Sequence, residues 1–333
     1  MDVAIRRGLY HVPTPCVLGS NFVGVVHKTS SEASRWRLGR RVAGLTLVGS
    51  NARYLTASTE RILDVPKKLD ASDIACILSI YLPAFQALHH GRTRPGRYSQ
   101  TALLRKRVLI TGGALPETMA LLRMAHYGGA QEVYVVAERS QHNTLRQLYA
   151  TPLDVHIDDW GPMVENSMDV VVDFDFVQNE KASCQALAEN GRLVWYLHPS
   201  KRKHVTGLAW SFDSIWEQTK LCLLERASIY EQNDSWAEHP YSFKVRNHID
   251  DPFVHLYLLT VYFQMDLEFL LRLLAQRQIR PKIDQFIGLA GVKTAHKDLQ
   301  TRSLSGAIIC EPWKDDETFE TYPNTMYESR EDL

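Results

Sequence analysis

Cysteine is scarce in this 333-residue chain and follows no ligand pattern. Cys16, Cys76, Cys184, Cys222 and Cys310 are odd in number and widely spaced, with no Cys-x-x-Cys pair and no Cys/His group at zinc-ligand spacing. That argues against a disulfide-stapled secreted scaffold and against a zinc finger. It predicts buried thiols in an intracellular, reducing compartment. Charge of one sign is also lacking: Lys+Arg and Asp+Glu both number 38. No global basic field is available to hold nucleic acid or an anionic membrane. No apolar run approaches the roughly 18 residues of a membrane span. The opening MDVAIRRGLY lacks the hydrophobic stretch of a signal peptide.

What is present is ordinary for a globular protein: 45% apolar and 23% charged residues. The length suggests about two domains. Residues 13–65 read as β-rich, from VLGSNFVGVVH through RRVAGLTLVGS and ARYLTAS. Asp70 to His90 reads as helix, with Asp70 or Ser72 as N-cap and Pro83 as an interruption. From Lys106 the pattern becomes alternating strand and helix: RVLITGG, PETMALLRMAHYGGA, EVYVVAE, HNTLRQLYA, DVVVDFDF, KASCQALAENG closed by Gly191, and RLVWYLH. Short apolar strands alternating with helices predict an α/β fold with a parallel sheet covered on both faces. PFVHLYLLTVYFQMDLEFLLRLLAQRQ reads as a long apolar helix. The tail from Lys314 carries seven acids and two bases and is expected to be flexible.

Six segments, in this order, resemble the medium-chain dehydrogenase/reductase superfamily. They are DVAIRRGLYHVPTPCVLGSNFVGVV, LGRRVAGL (with Arg40 where that family usually has Asp), NARYLTAS, VPKKLDASDIACIL, the strand–helix alternation, and IRPKIDQFIGLAGVKTAHKDLQTRSLSGAIICEPW. The resemblance spans Asp2 to about Trp313. It implies a GroES-like β domain built from 1–90 and 277–313, a Rossmann domain with a doubly wound parallel sheet over 91–276, and an acidic tail over 314–333. The family's opening β-hairpin has no counterpart before Asp2, so another element or a partner is expected to cover that sheet edge.

Zinc-dependent members carry a His-Glu pair after the glycine that is Gly19 here; this chain has Ser20 and Asn21. The resemblance therefore points to the zinc-free branch, which reduces quinones, enones and enoyl thioesters by direct hydride transfer, with a small-molecule substrate, NADP as cofactor and no metal. In Arg6-Arg7-Gly8-Leu9-Tyr10 it implies Tyr10 as the catalytic residue, hydrogen-bonding a substrate carbonyl; an ordinary strand-edge aromatic is the alternative. The Thr-Ala-Tyr turn at the nicotinamide becomes Pro83-Ala84-Phe85, which loses both polar handles.

The implied cofactor-binding residues are Asn21, Gly112, Gly113, Ala114, Glu138, Arg139 and Ser140. A Rossmann turn needs glycine for tightness and for close backbone approach to pyrophosphate. Here Thr111-Gly112-Gly113-Ala114 is followed by Leu115 where backbone meets phosphate, Pro116 without an N–H, Glu117 at the helix N-terminus, and Thr118 where the helix packs close. Glu138 at the end of the second strand suits a ribose 2′-OH and NAD; a register one residue later suits NADP through Arg139 and Ser140. Two readings follow: an NAD(P)H-dependent quinone or enone reductase, or a catalytically degenerate member acting as an accessory subunit. Zinc-free relatives dimerise through sheet edges, so a homodimer or a larger complex is expected, with the edge strand near Ser228–Glu231.

Overall fold

The computed structural model describes residues 2–6, 12, 14–29, 36–46, 48–59, 62–89, 103–156, 160–174, 176–195, 228–231, 252–301 and 306–315. The chain forms two compact units, Met1–Ser79 with Leu271–Leu333, and Ile80–Leu270.

The first unit opens with a short helix, α1 (Asp2–Arg6). Strands β1 (Asn21–Val25), β2 (Arg41–Leu45) and β3 (Ile62–Asp64) then form an antiparallel sheet in that order. Its small core is Trp36, Val42 and Ile62, with Phe22, Val26 and Ala57 packed on it. Arg40 is ion-paired with Asp64 of β3. The β piece expected at NARYLTAS is absent: residues 51–54 bend. The Ser50 and Asn51 N–H groups donate to Gly19 O (3.2 Å) and Leu18 O (2.9 Å), so this backbone serves the loop before β1 rather than a strand ladder.

Asp70 caps α2 (Ala71–Cys76), its carboxylate accepting from Ser72 N at 2.8 Å. The helical stretch expected to His90, with its interruption at Pro83, is in three pieces. A π-helical turn spans Ile77–Tyr81, and α3 (Leu82–His89) follows. Pro83, the second residue of α3, directly follows this π turn; a proline within a continuous helical run forgoes the hydrogen bond to the preceding turn, and a π turn is one way the backbone absorbs it.

The second unit is built on a six-stranded sheet. Strands β4 (Arg107–Ile110), β5 (Glu132–Ala137), β6 (Thr151–Asp154), β7 (Met168–Asp173) and β8 (Leu187–Trp195) are parallel, and β9 (Ser228–Glu231) pairs antiparallel with β8. The order is β6-β5-β4-β7-β8-β9. Counted from β4 this is the doubly wound order, whose progression reverses between β4 and β7. Helices α4 (Pro116–Tyr127), α5 (His142–Gln147) and α6 (Phe176–Ala186) lie in the crossovers. Leu109, Val136, Leu153, Met168, Val171 and Leu193 make the core. On α4, Leu121, Leu122 and Met124 are buried, each worth about 1.5–3 kcal/mol relative to exposure.

TPLD, which the sequence pattern left unassigned, forms β6, among the described residues the last strand on its side of the sheet, where proline is tolerated. One expectation fails here for a local reason. Gly191 does not close a helix: α6 ends at Ala186 and β8 begins at Leu187. The β7–β8 register shifts between Met168 and Val170. A Cβ on Gly191 would lie 2.8 Å from both Ala188 O and Met168 O. The glycine therefore serves an irregular strand, not a cap.

Helix α7 (Pro252–Ala275) runs 24 residues, as the sequence predicts. Among the described residues no helix is long and apolar enough to cross a membrane. The chain then returns to the first unit with β10 (Ile283–Ile287), α8 (Val292–Thr301) and β11 (Ala307–Cys310), the two strands parallel. The acidic tail beyond Asp315 lies outside the described residues.

Candidate functional site

A sheet whose strand order reverses leaves a crevice at the carboxyl ends of the two central strands. In the second unit these ends are Thr111, after β4, and Asp173 and Phe174, at the end of β7. Three hydrogen bonds fix them. Thr111 Oγ1 donates to Asp173 Oδ1 (2.6 Å), the Phe174 N–H donates to Thr111 Oγ1 (2.9 Å), and Ser183 Oγ on α6 donates to Asp173 Oδ2 (2.5 Å). Asp173 and Ser183 are fully buried. A carboxylate satisfied by two hydroxyls in a dry environment makes a rigid rim.

Gly112 and Gly113 turn the chain out of β4 with φ of +101° and +69°. Side-chain-bearing residues rarely adopt such angles, and space forbids them as well. A Cβ on Gly112 would lie 3.0 Å from the Phe174 Cβ, and one on Gly113 would lie 2.7 Å from Gln141 Oε1. Within the turn, Thr111 N donates to Val172 O (2.9 Å) and Gly113 N to Val136 O (3.0 Å). The Ala114 N–H donates to Gln141 Oε1 at 3.1 Å.

Helix α4 starts without a capping side chain at Leu115. Pro116 is its first residue, and Glu117 lies in its first turn. Thr118 is fully buried, and its hydroxyl is the one buried side-chain polar atom among the described residues without a hydrogen-bond partner. A helix N-terminus favours an anion, but Pro116 supplies no donor and Glu117 already places negative charge there.

Beyond β5, Glu138 follows the last strand residue, Ala137, and a 3-10 turn spans Arg139–Gln141. Glu138, Arg139 and Ser140 are exposed. Arg139 is ion-paired with Asp154 at the end of β6. The Asp154 carboxyl is held below the usual carboxylate range by the His156 backbone N–H (3.0 Å) and by the Arg139 hydrogen bond. His142 Nε2 bonds Ala137 O at 3.0 Å, which anchors this loop to the strand end.

The sequence-predicted residues therefore fall in three places. Gly112, Gly113 and Ala114 form the turn. Glu138, Arg139 and Ser140 form the neighbouring loop, joined to the turn through Gln141. Asn21 is the first residue of β1, in the other unit. Tyr10 lies outside the described residues. Phe85, at the family's nicotinamide turn, is buried, with its ring 5.2 Å from that of Phe269. Sequence reasoning missed Gln141 and Phe174, which meet the turn only because the sheet brings three strand ends together. Among the described residues, no group of three or more His, Cys, Asp or Glu is placed to hold a metal ion.

A dinucleotide's pyrophosphate needs the turn's backbone to be open. The glycine pair leaves out the two Cβ atoms that would stand there; the nearest neighbours of those positions are Gln141 Oε1, the far end of a flexible side chain, at Gly113 and the Phe174 side chain at Gly112.

Comparison with known proteins agrees with this geometry. Residues 1–67 match the alcohol dehydrogenase GroES-like domain family. The trans-enoyl reductase himH of Aspergillus japonicus is 25% identical over 194 residues, 56% of this chain and 56% of that protein, so the match spans little more than half the length of this curated relative. A quinone oxidoreductase from Pseudomonas syringae pv. Tomato superposes with a TM-score of 0.66 at 18% identity, covering 93% of this chain and 87% of that one. A mycobacterial protein solved in complex with NADPH superposes with a TM-score of 0.65 at 19% identity, covering 93% and 87%. The chain carries a GroES-like domain and a Rossmann-like parallel-sheet domain, and its fold is that of the medium-chain dehydrogenase/reductase superfamily. The likeness to these solved structures is one of fold.

Proposed function

We propose that this chain is a zinc-independent, NAD(P)H-dependent oxidoreductase of the quinone or enone/enoyl reductase type, with weakened hold on its dinucleotide. The observation that carries the reading is the Gly112–Gly113 turn at the strand-order reversal, backed by the buried Thr111–Asp173–Ser183 rim. A bound reduced nicotinamide would supply hydride to a polarised alkene or quinone, with a proton completing the reduction. Tyr10 is proposed to hydrogen-bond the substrate carbonyl, and Asn21 to help hold the cofactor.

The ribose end supports NADH over the NADP expected from the family resemblance. Glu138 directly follows β5, where an acidic residue suits a ribose 2′-OH, and Arg139 is engaged by Asp154. The test is titration of the purified protein with NADH and NADPH, together with turnover of a simple enone and a quinone. Binding on the order of 0.1 mM or weaker is expected, with NADH ahead of NADPH and slow turnover unaffected by dialysis against a chelator. Chelator-sensitive turnover would remove the zinc-independent reading. Absence of turnover, with no dinucleotide bound at saturating concentration, would favour the second reading. That reading, a degenerate accessory subunit, draws its support from Pro116 and Glu117 at the helix N-terminus.

A further inference from the structure

We infer that the Gln141 carboxamide is a built-in competitor for the phosphate cradle, so that a dinucleotide binds only after displacing it. The inference rests on the reading of the turn as a dinucleotide site.

The competition is geometric. Thr111 N and Gly113 N are committed to the sheet, and Pro116 has no N–H. Gly112, Ala114 and Leu115 are then the turn's remaining N–H groups. Gln141 Oε1 takes the Ala114 one at 3.1 Å, and lies 2.7 Å from where a Cβ on Gly113 would be. The absence of that Cβ is what lets a phosphate oxygen approach such a turn. Here the same space holds an amide oxygen: neutral, correctly placed to accept, and tethered. Phe174 stands close to Gly112, so both glycines of the turn have a close side-chain neighbour. Gln141 is also held in place from behind. Its N–H donates to Glu138 O (2.9 Å), and the next residue, His142, is bonded to Ala137 O (3.0 Å). With the backbone fixed, the carboxamide stays at high effective concentration beside Ala114. A pyrophosphate must break this bond before making its own, and the loss appears directly as reduced affinity.

Two substitutions drive the balance in opposite directions. Gln141→Ala removes the acceptor and frees the Ala114 N–H. Gln141→Glu keeps an acceptor, strengthens it by charge, and adds a negative group beside the incoming anion. The experiment titrates wild type and both variants with NADH, NADPH and inorganic pyrophosphate by calorimetry. Amide hydrogen exchange at Ala114 is followed in parallel, and thermal melts check that all three proteins fold alike. Gln141→Ala is expected to bind each probe about tenfold more tightly, the worth of one net hydrogen bond, and to exchange its Ala114 amide faster. Gln141→Glu is expected to bind about tenfold more weakly or worse. Unchanged or weakened binding by Gln141→Ala overturns the inference; weakened binding would make Gln141 a ligand of the cofactor rather than its rival. Unchanged Ala114 exchange overturns it too, because the bond would then not exist in solution. Tightened binding without enone or quinone turnover upholds the inference while removing the reductase reading. Turnover with equal affinity in all three proteins does the reverse.

Discussion

Gln141 lies one residue beyond Ser140, just outside the stretch in which a 2′-phosphate or ribose contact is sought, and nothing in its sequence neighbourhood marks it. Its significance comes from a 3-10 turn that carries it back over Ala114. Arg139 shows the converse. The sequence offers it as a free cation, and the fold ties it to Asp154, a residue in a strand the sequence did not reveal. Cys76 illustrates a third case, in which burial decides chemistry. The thiol is fully buried in α2, and burial, followed by the nearby Asp73 and Asp70 charges, pushes its pKa up to about 12. In the unfolded chain it titrates near 8.5. A folded pKa raised above the unfolded one contributes stability that is complete below about pH 8.5 and is lost as pH rises from there toward about 12. Urea midpoints measured at pH 8 and pH 10 should therefore fall more steeply for wild type than for Cys76→Ala. Equal slopes would mean the thiol is as accessible folded as unfolded.

At the scale of elements, the turn from β4 into α4 depends on a glycine in two independent ways. Gly112 has φ +101°, and Phe174 stands 3.0 Å from where its Cβ would go. Gly112→Ala should destabilise the second unit by about 1–3 kcal/mol through backbone strain and contact with Phe174, read as a lowered midpoint in thermal or urea unfolding. If Gly112→Ala melts with wild type, the turn is not held as described. The glycine pair itself was legible, because only a turn between an apolar strand and an amphipathic helix calls for Gly-Gly there. The strand β6 was not, since a four-residue edge piece containing Pro152 gives no periodic signal. The split of one expected helix into α2, a π turn and α3 was visible only as the presence of Pro83. A proline announces an interruption, but the packing around it selects how the backbone absorbs it.

At the scale of the molecule, β9 is, among the described residues, the last strand of the sheet, beyond β8. Edge strands invite pairing, and we expect either two copies to join there as a homodimer or a stable complex with other chains. Light scattering at low micromolar concentration should give a mass near twice 38.0 kDa for the homodimer; a well-behaved monomer would refute both versions.

The sequence by itself determined the α/β class, the parallel sheet, the glycine turn and the absence of zinc-ligand spacing. These are written in local period, composition and motif, which need no knowledge of what lies across the fold. Tertiary structure alone decided what occupies the turn. Gln141, Phe174 and Asp173 lie 27, 60 and 59 residues beyond Ala114, by their numbering. They reach the turn because parallel strands align their carboxyl ends, and side-chain proximity of that kind leaves no trace in linear order.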